Sequence, residues 1–355
     1  MTLLDIPRPS PRPRRAAPAA SRGPALPEPR GPISGALVAH LRQPGRGPLP
    51  GPGDRPLGED AHLALHCCYE LSYRGFAGVD DEQEWDPVVL DLRGRLEAAV
   101  LADLRTAVPL PASSAPDAVV EWLRDTALPG DGPSLSGYMA EEGTLEQLRE
   151  LCIHRSAYQL KEADPHTWAL PRLHGEAKAA MVEIQADEYG GGRRAEMHAE
   201  LFAETMDELD LDPSYGAYLD RIPGVTLATN NVISLFGLHR RWRGALVGHL
   251  ALFEMTSVGP MARYAAAIDR LVGTARAARF YAVHVEADEH HQVVALDQMV
   301  AGLLAEEPEL GPDVAFGAGA LMLVERRFTE HVTASWAAGR SSLLAPAAAA
   351  WRRVG

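Results

Sequence analysis

Cysteine, long apolar runs and β-branched alternation are all scarce in this 355-residue chain, and each scarcity excludes something. There are three cysteines, Cys67 beside Cys68 and Cys152 far from both, which make neither a disulfide framework nor a CxxC metal pattern. A reducing, cytoplasmic setting is expected. No stretch approaches the roughly 18 apolar residues that crossing a bilayer takes, and the N-terminus has no apolar signal core, so neither a membrane-spanning nor an exported protein is expected. GxSxG, GxGxxG and a phosphate-cradling glycine loop are missing too, which argues against serine hydrolases, flavin enzymes and nucleotide enzymes.

Charge is unevenly distributed. The net −14 arises from 34 Lys+Arg against 48 Asp+Glu, but residues 1–58 hold nine arginines and only three acids, which leaves −20 for the rest. A body of that charge repels phosphate backbones, so nucleic acid is not an expected partner, whereas a neutral or cationic small molecule or metal ions are. The same 58 residues hold 14 of the 28 prolines. That density predicts a disordered Pro/Arg-rich arm; the alternative is a basic arm docked on an acidic partner or on its own acidic body.

From residue 59 onward the apolar residues recur with a period near 3.6, the pattern of an all-α protein. Helices are expected over 60–75, 87–106, 116–127, 144–163, 168–187, 194–209, 213–221, 226–239, 243–256, 258–272, 276–305 and 311–337. Asp86-Pro87 and the capping box Thr144-x-x-Gln147 mark starts. Residues 59–140 are expected to form an N-terminal helical extension, 141–340 the main domain and 341–355 a C-terminal tail.

The most informative segment is His284-x-x-x-Asp288-x-x-His291. Offsets of four and three place all three side chains on one helix face, able to converge on one small volume. Taken alone, this is equally a solvated polar face. Other acids and imidazoles shift the balance. Glu254 is a lone carboxylate in the apolar run Leu250-Ala-Leu-Phe-Glu254-Met, and a buried acid without a partner is costly. Glu188 and His198 flank Gly190–Gly192, and Glu162 ends the 144–163 segment. Together these are four carboxylates and three imidazoles; two Fe(II) ions would neutralise the four negative charges. Oxygen and nitrogen donors without a thiolate point to iron or manganese over structural zinc. His290, Glu286 and Glu289 belong on the outer side of the same helix. His154 and Tyr158 read as core, while Arg240, Arg241 and Arg243 could hold a substrate carboxylate or, as such clusters more often do, cap a helix C-terminus and bridge on the surface.

The ferritin-like signature of two Glu-x-x-His motifs is missing among these residues: three positions after Glu162 is Pro165, and three after Glu188 is Gly191. The order Glu162, then Glu188 ten residues before His198, then Glu254 thirty residues before His284-x-x-x-Asp288-x-x-His291 resembles the heme-oxygenase-like diiron oxidases over roughly residues 145–300. That resemblance implies a heme-oxygenase-like bundle of about seven core helices with additional N-terminal helices. It also implies two irons, cycling between Fe(II) and Fe(III), on Glu162, Glu188, His198, Glu254, His284, Asp288 and His291, with O2 as cosubstrate. Manganese is not excluded. A carboxylate at the Glu188 position is associated with the nitrogen-oxygenating branch, where it tunes a peroxo intermediate. The expected activity is N-oxygenation of a small amine or amino acid, with Arg240 and Arg241 toward the substrate, an external electron donor such as a ferredoxin, and a homodimeric assembly. Two rivals remain, a carbon–carbon cleaving oxidase of the same superfamily and a non-catalytic heme- or metal-binding protein on the same scaffold. The Gly190–Gly192 triplet is expected either to mark a turn or to let the Glu188–His198 segment reorganise when iron enters.

Overall fold

The computed structural model describes residues 23–45, 47–53, 57–128 and 134–345. All regular structure among them is helical: α1 (Pro32–Arg42), α2 (Glu59–Glu70), α3 (Pro87–Ala107), α4 (Pro116–Thr126), α5 (Leu135–Glu141), α6 (Leu145–Gln159), α7 (Asp164–Thr167), α8 (Gly175–Glu188), α9 (His198–Glu208), α10 (Gly224–Leu238), α11 (Arg243–Leu271), α12 (Ala275–Val293), α13 (Ala301–Glu306) and α14 (Gly311–Ala337). Among the described residues no helix is long and apolar enough to cross a membrane. Many of the starts follow the expected chemistry: Asp86 accepts from Val88 N ahead of Pro87, and Thr144 and Gln147 form a reciprocal capping box.

The axis of the bundle is α11, packed along α12 on one side and α14 on the other. The α11–α14 contact is close because glycines stand at the crossing. A Cβ at Gly248 would lie 2.0 Å from Val314 O, and one at Gly317 would lie 1.9 Å from Ala245 O. Helices α8, α9 and α10 complete the enclosure, and α2 packs on α10.

Three expectations are corrected. First, the arm proposed for 1–58 is in part a packed helix. Ile33, Leu37 and Leu41 on α1 are buried, and Asp60 of α2 caps its start by accepting from Ile33 N, Ser34 N and Ser34 Oγ. Pro32 is harmless there because the first helical position has no hydrogen-bond partner to lose. Arg30 pairs with Glu59 at 2.7 Å, so this segment docks on its own acidic body; residues 1–22 lie outside the described residues. Second, the helices expected over 243–256 and 258–272 are one helix that runs through Pro260, the missing rung being tolerated by packing on both flanks. Third, 213–221 forms turns, and the 276–305 segment divides into α12, a π-helical stretch Val294–Val300 and α13.

Candidate metal centre

Glu162 sits in the turn that ends α6. That turn is gripped from the N-terminal helices: Lys161 Nζ lies 2.9 Å from Glu70 Oε2, with both side chains at most 2% exposed, and Arg74 Nη2 donates to Leu160 O at 2.9 Å. Ala163 follows at φ 72°, ψ −33°, a strained conformation for a residue with a Cβ. Glu188 is the last residue of α8, and His198 is the first of α9. Between them Gly190, Gly191 and Gly192 all take positive φ, and a Cβ at Gly190 would lie 2.5 Å from the backbone of Glu196. Glycine is therefore what lets the chain double back and set His198 Nδ1 2.9 Å from Glu188 Oε2.

Glu254 faces inward from α11, and His284, Asp288 and His291 face it from α12, each at most 4% exposed. Glu286, Glu289 and His290 of the same helix are exposed, as the spacing predicts. Hydrogen bonds on the far sides of the rings fix which nitrogen is available. His284 Nδ1 donates to Phe280 O at 2.8 Å, leaving Nε2 toward Glu162 Oε2 at 3.6 Å. His291 Nε2 donates to Asp187 Oδ2 at 3.1 Å, leaving Nδ1 toward Glu254 Oε2 at 3.4 Å and Asp288 Oδ1 at 3.6 Å. This is the outer support that orients metal-binding imidazoles.

Two donor sets result. Glu162, Glu188, His198 and His284 each present one atom within 4.8 Å of the others, as do Glu188, Glu254 and His291. Glu188 belongs to both. Asp288 falls outside these sets but lines the same void, with Oδ2 accepting from Ser257 Oγ at 2.5 Å. Donors about 2.1 Å from a common ion lie at most about 4.2 Å apart, so a small contraction closes either set on a cation. The decisive observation is unmet hydrogen bonding. Glu162 Oε2, Glu188 Oε2, His198 Nδ1, Asp288 Oδ1 and His291 Nδ1 are all buried without a hydrogen-bond partner. The short His198–Glu188 approach is too oblique to count as a hydrogen bond, the arrangement expected of two groups aimed at a third atom. Buried polar atoms left so are rare and costly, and nitrogen and oxygen donors free of thiolate suit iron. Cys67, Cys68 and Cys152 are buried elsewhere. The residues fit a metal.

Electrostatics agree. Burial pushes Glu254 up to about 8, with Asp288 and Glu188 adding to it against the pull of His291. Burial acts the same way on Glu188, but His198, His284 and His291 outweigh it and hold that carboxyl at about 2. Burial opposes protonation of His284 and His291, yet facing carboxylates raise them to about 10 and about 11. Without a cation the cluster keeps protons as counterions; a cation would displace them.

A carboxylate–imidazole cluster of this kind, buried in an all-α bundle, is suited to hold a metal ion, and the family it falls in is one of oxidoreductases. The model of the family described as iron-containing redox enzymes matches residues 149–326, which include every one of the seven candidate residues. The chain belongs to this family and has its heme-oxygenase-like helical fold. No curated protein matches it.

Other candidates fall elsewhere. Arg240 and Arg241 are exposed, Arg241 stacks on Trp242 at 4.5 Å, and neither lines the void or the larger cavity described below, because the short turn Arg240–Trp242 directs them outward. Arg243 pairs with Glu307. His154 is core, bonded to Thr226 and Ser342, whereas Tyr158 forms part of the void's wall. Asp187, Ser257 and the Lys161–Glu70 pair support the cluster and were not singled out from sequence. Only Asp187 carried a hint, as the neighbour of Glu188.

Proposed function

We propose that the cluster holds two iron ions with Glu188 shared between them, and that the protein is an O2-dependent oxygenase acting on the nitrogen of an amine. The observation carrying this reading is the pair of donor sets meeting at Glu188, with unpartnered buried atoms in each. Glu162, His198 and His284 would hold one ion, and Glu254 and His291 the other, with Asp288 beside it. Four carboxylates against two Fe(II) leave a neutral interior. When bound, the iron pair supplies the reduction of O2, chemistry that no side chain here can perform.

The protein's own residues orient and insulate. Phe280 O and Asp187 fix the two imidazole tautomers, and the Lys161–Glu70 pair fixes the turn bearing Glu162. Ser257 Oγ donates to Asp288 Oδ2 and holds that carboxylate in place. Tyr158, Leu250 and Phe253 close the void, which at about 10 Å³ has room for about one water. Transfer of one oxygen atom to an amine, with the second leaving as water, consumes two electrons and two protons. These come from an external donor such as a ferredoxin. A fourth carboxylate at Glu188 is the feature favouring nitrogen over carbon as the target. Anaerobic Fe(II) loading with iron quantification and Mössbauer spectroscopy is expected to show two irons per chain. Exposure to O2 with an amine panel is then expected to yield hydroxylamine, nitroso or nitro products. Less than one iron per chain, a Soret band from bound heme, or alkene and carbonyl fragments in place of N-oxidised products would each overturn the reading.

A further inference from the structure

Next to the candidate metal centre lies a much larger cavity of about 380 Å³. Tyr158, Phe253 and Ser257 line both it and the small void among the candidate ligands, so the two spaces meet across three side chains. Its volume lies in the range of pockets that take drug-sized molecules, beyond what a free α-amino acid would fill. The wall is mainly apolar and aromatic, including Leu252, Met261, Tyr264, Tyr281, Leu321 and Met322. Three charged residues border it, and two of them cancel. Arg155 and Glu325 form a bidentate pair at 2.8 and 2.7 Å, with Arg155 also 4.3 Å from the centre of the Phe328 ring. The third, Arg263, is exposed, donates through Nε to Ser136 Oγ at 2.9 Å, and has no carboxylate partner among the described residues.

The two polar ends are ordered along one helix. Ser257, at the metal end, and Arg263 are six residues apart on α11, about 9 Å along its axis. Apart from the paired Arg155 and Glu325, a ligand lying between them meets a guanidinium at the solvent end and otherwise only neutral groups: apolar side chains, the Gln159 amide, whose buried Oε1 has no hydrogen-bond partner, and hydroxyls, of which Ser257 is committed to Asp288 and Thr256 Oγ1 to Leu252 O. Gln159 Oε1 can accept a hydrogen bond but carries no charge, and Glu325 is taken by Arg155, so apart from the metal-binding carboxylates themselves no free countercharge would balance an ammonium, and stripping water from an unneutralised charge is costly. The reacting nitrogen must therefore arrive uncharged. An aromatic amine satisfies this at neutral pH because its lone pair is delocalised into the ring, and flat rings suit walls built from Tyr158, Phe253, Tyr264 and Tyr281.

We propose that this cavity is the substrate chamber, and that it takes an elongated aromatic amine whose anionic group, at the end remote from nitrogen, pairs with Arg263. The substrate class rests on the N-oxygenase reading above; the chamber itself does not.

The test uses the full chain loaded anaerobically with Fe(II), titrated with 4′-aminobiphenyl-4-carboxylate and followed by quenching of intrinsic fluorescence. Saturable binding is expected, with 12-aminododecanoate failing to compete. Arg263→Gln is expected to weaken the carboxylate probe about tenfold while leaving uncharged 4-aminobiphenyl unaffected. Met322→Trp, which fills the chamber, is expected to weaken both probes with iron content unchanged. Absence of saturable binding, equal loss of both probes in Arg263→Gln, or effective competition by the aliphatic amine overturns the proposal. The two readings fail separately. Saturable binding without N-oxidised product on addition of O2 and electrons refutes N-oxygenation and supports the chamber, whereas N-oxidation of a free α-amino acid by a chain that does not bind the probe refutes the chamber alone.

Discussion

Histidines 290 and 291 are neighbours on α12 but face opposite environments, which makes them a sharp internal control. His291 is fully buried, with Nδ1 unpartnered among Glu254 and Asp288 and Nε2 bonded to Asp187 at 3.1 Å. His290 has 62% of its side chain exposed and reaches only Glu183, on the surface. On the two-iron reading, His291→Ala deletes a donor from the second set and should abolish binding of one iron. Asp187→Asn keeps the shape but removes the carboxylate that fixes the His291 tautomer. Loss of such an outer partner costs about 10–100-fold in metal affinity. Because the Asp187 side chain is 58% exposed and solvent-screened, the effect belongs at the low end, about tenfold or ~1.4 kcal/mol. His290→Ala should leave affinity unchanged, since an exposed ion pair contributes little. Anaerobic Fe(II) titration against a colorimetric chelator, with iron per chain counted by mass spectrometry, measures all three. Equal losses in His290→Ala and His291→Ala, or Asp187→Asn within twofold of the parent, would refute the assignment of donors and of their support.

Three further outcomes follow from the same geometry. Burial pushes Glu254 up to about 8, and facing carboxylates raise His284 and His291 to about 10 and about 11 against their burial, so at pH 7 the metal-free cluster holds protons that iron must displace. Iron affinity should therefore rise with pH up to about 8 and more shallowly beyond, by about tenfold per pH unit for each proton released; a pH-indicator dye in weak buffer that records no proton release on loading contradicts this. Gly317→Ala should destabilise the fold by ~1–3 kcal/mol in urea unfolding, because the added methyl meets Ala245 O and outweighs the ~1 kcal/mol gain in helix propensity; a stabilised variant would show that α11 and α14 do not cross as described. Lys161→Met leaves the buried Glu70 carboxylate with the neutral donors Tyr215 Oη and Arg74 N but without its countercharge, and should cost ~3 kcal/mol, partly recovered in the Lys161→Met/Glu70→Gln double variant; thermal unfolding in which the single variant matches the parent would count against the buried pair.

What could be read beforehand depended on how local each feature is. His284, Asp288 and His291 share one helix, so their common face follows from spacing, and the same spacing sent Glu286, Glu289 and His290 outward. Glu254 was legible because a lone acid in an apolar run has no other explanation. The α1 helix was not read beforehand: its i, i+4, i+8 series Ile33, Leu37, Leu41 is a helical pattern, but the prolines around it obscured it. Arg240 and Arg241 show the converse: three arginines within four residues suggested an anion site, yet a short helical turn directs them to solvent. Asp187 and the Lys161–Glu70 pair were hidden for another reason. Their partners lie 104 and 91 residues away, and nothing in a sequence period reports a contact between helices.

The sequence by itself determined the all-α class, the seven candidate residues and their family resemblance, because helical periodicity and residue spacing are properties of short segments. Only the tertiary structure decided that Glu188 belongs to two donor sets, that the glycine triplet folds His198 back onto it, and that a 380 Å³ chamber adjoins them. Those features depend on where α8, α9, α11 and α12 stand relative to one another, and helix packing sets that through side chains distant in the chain.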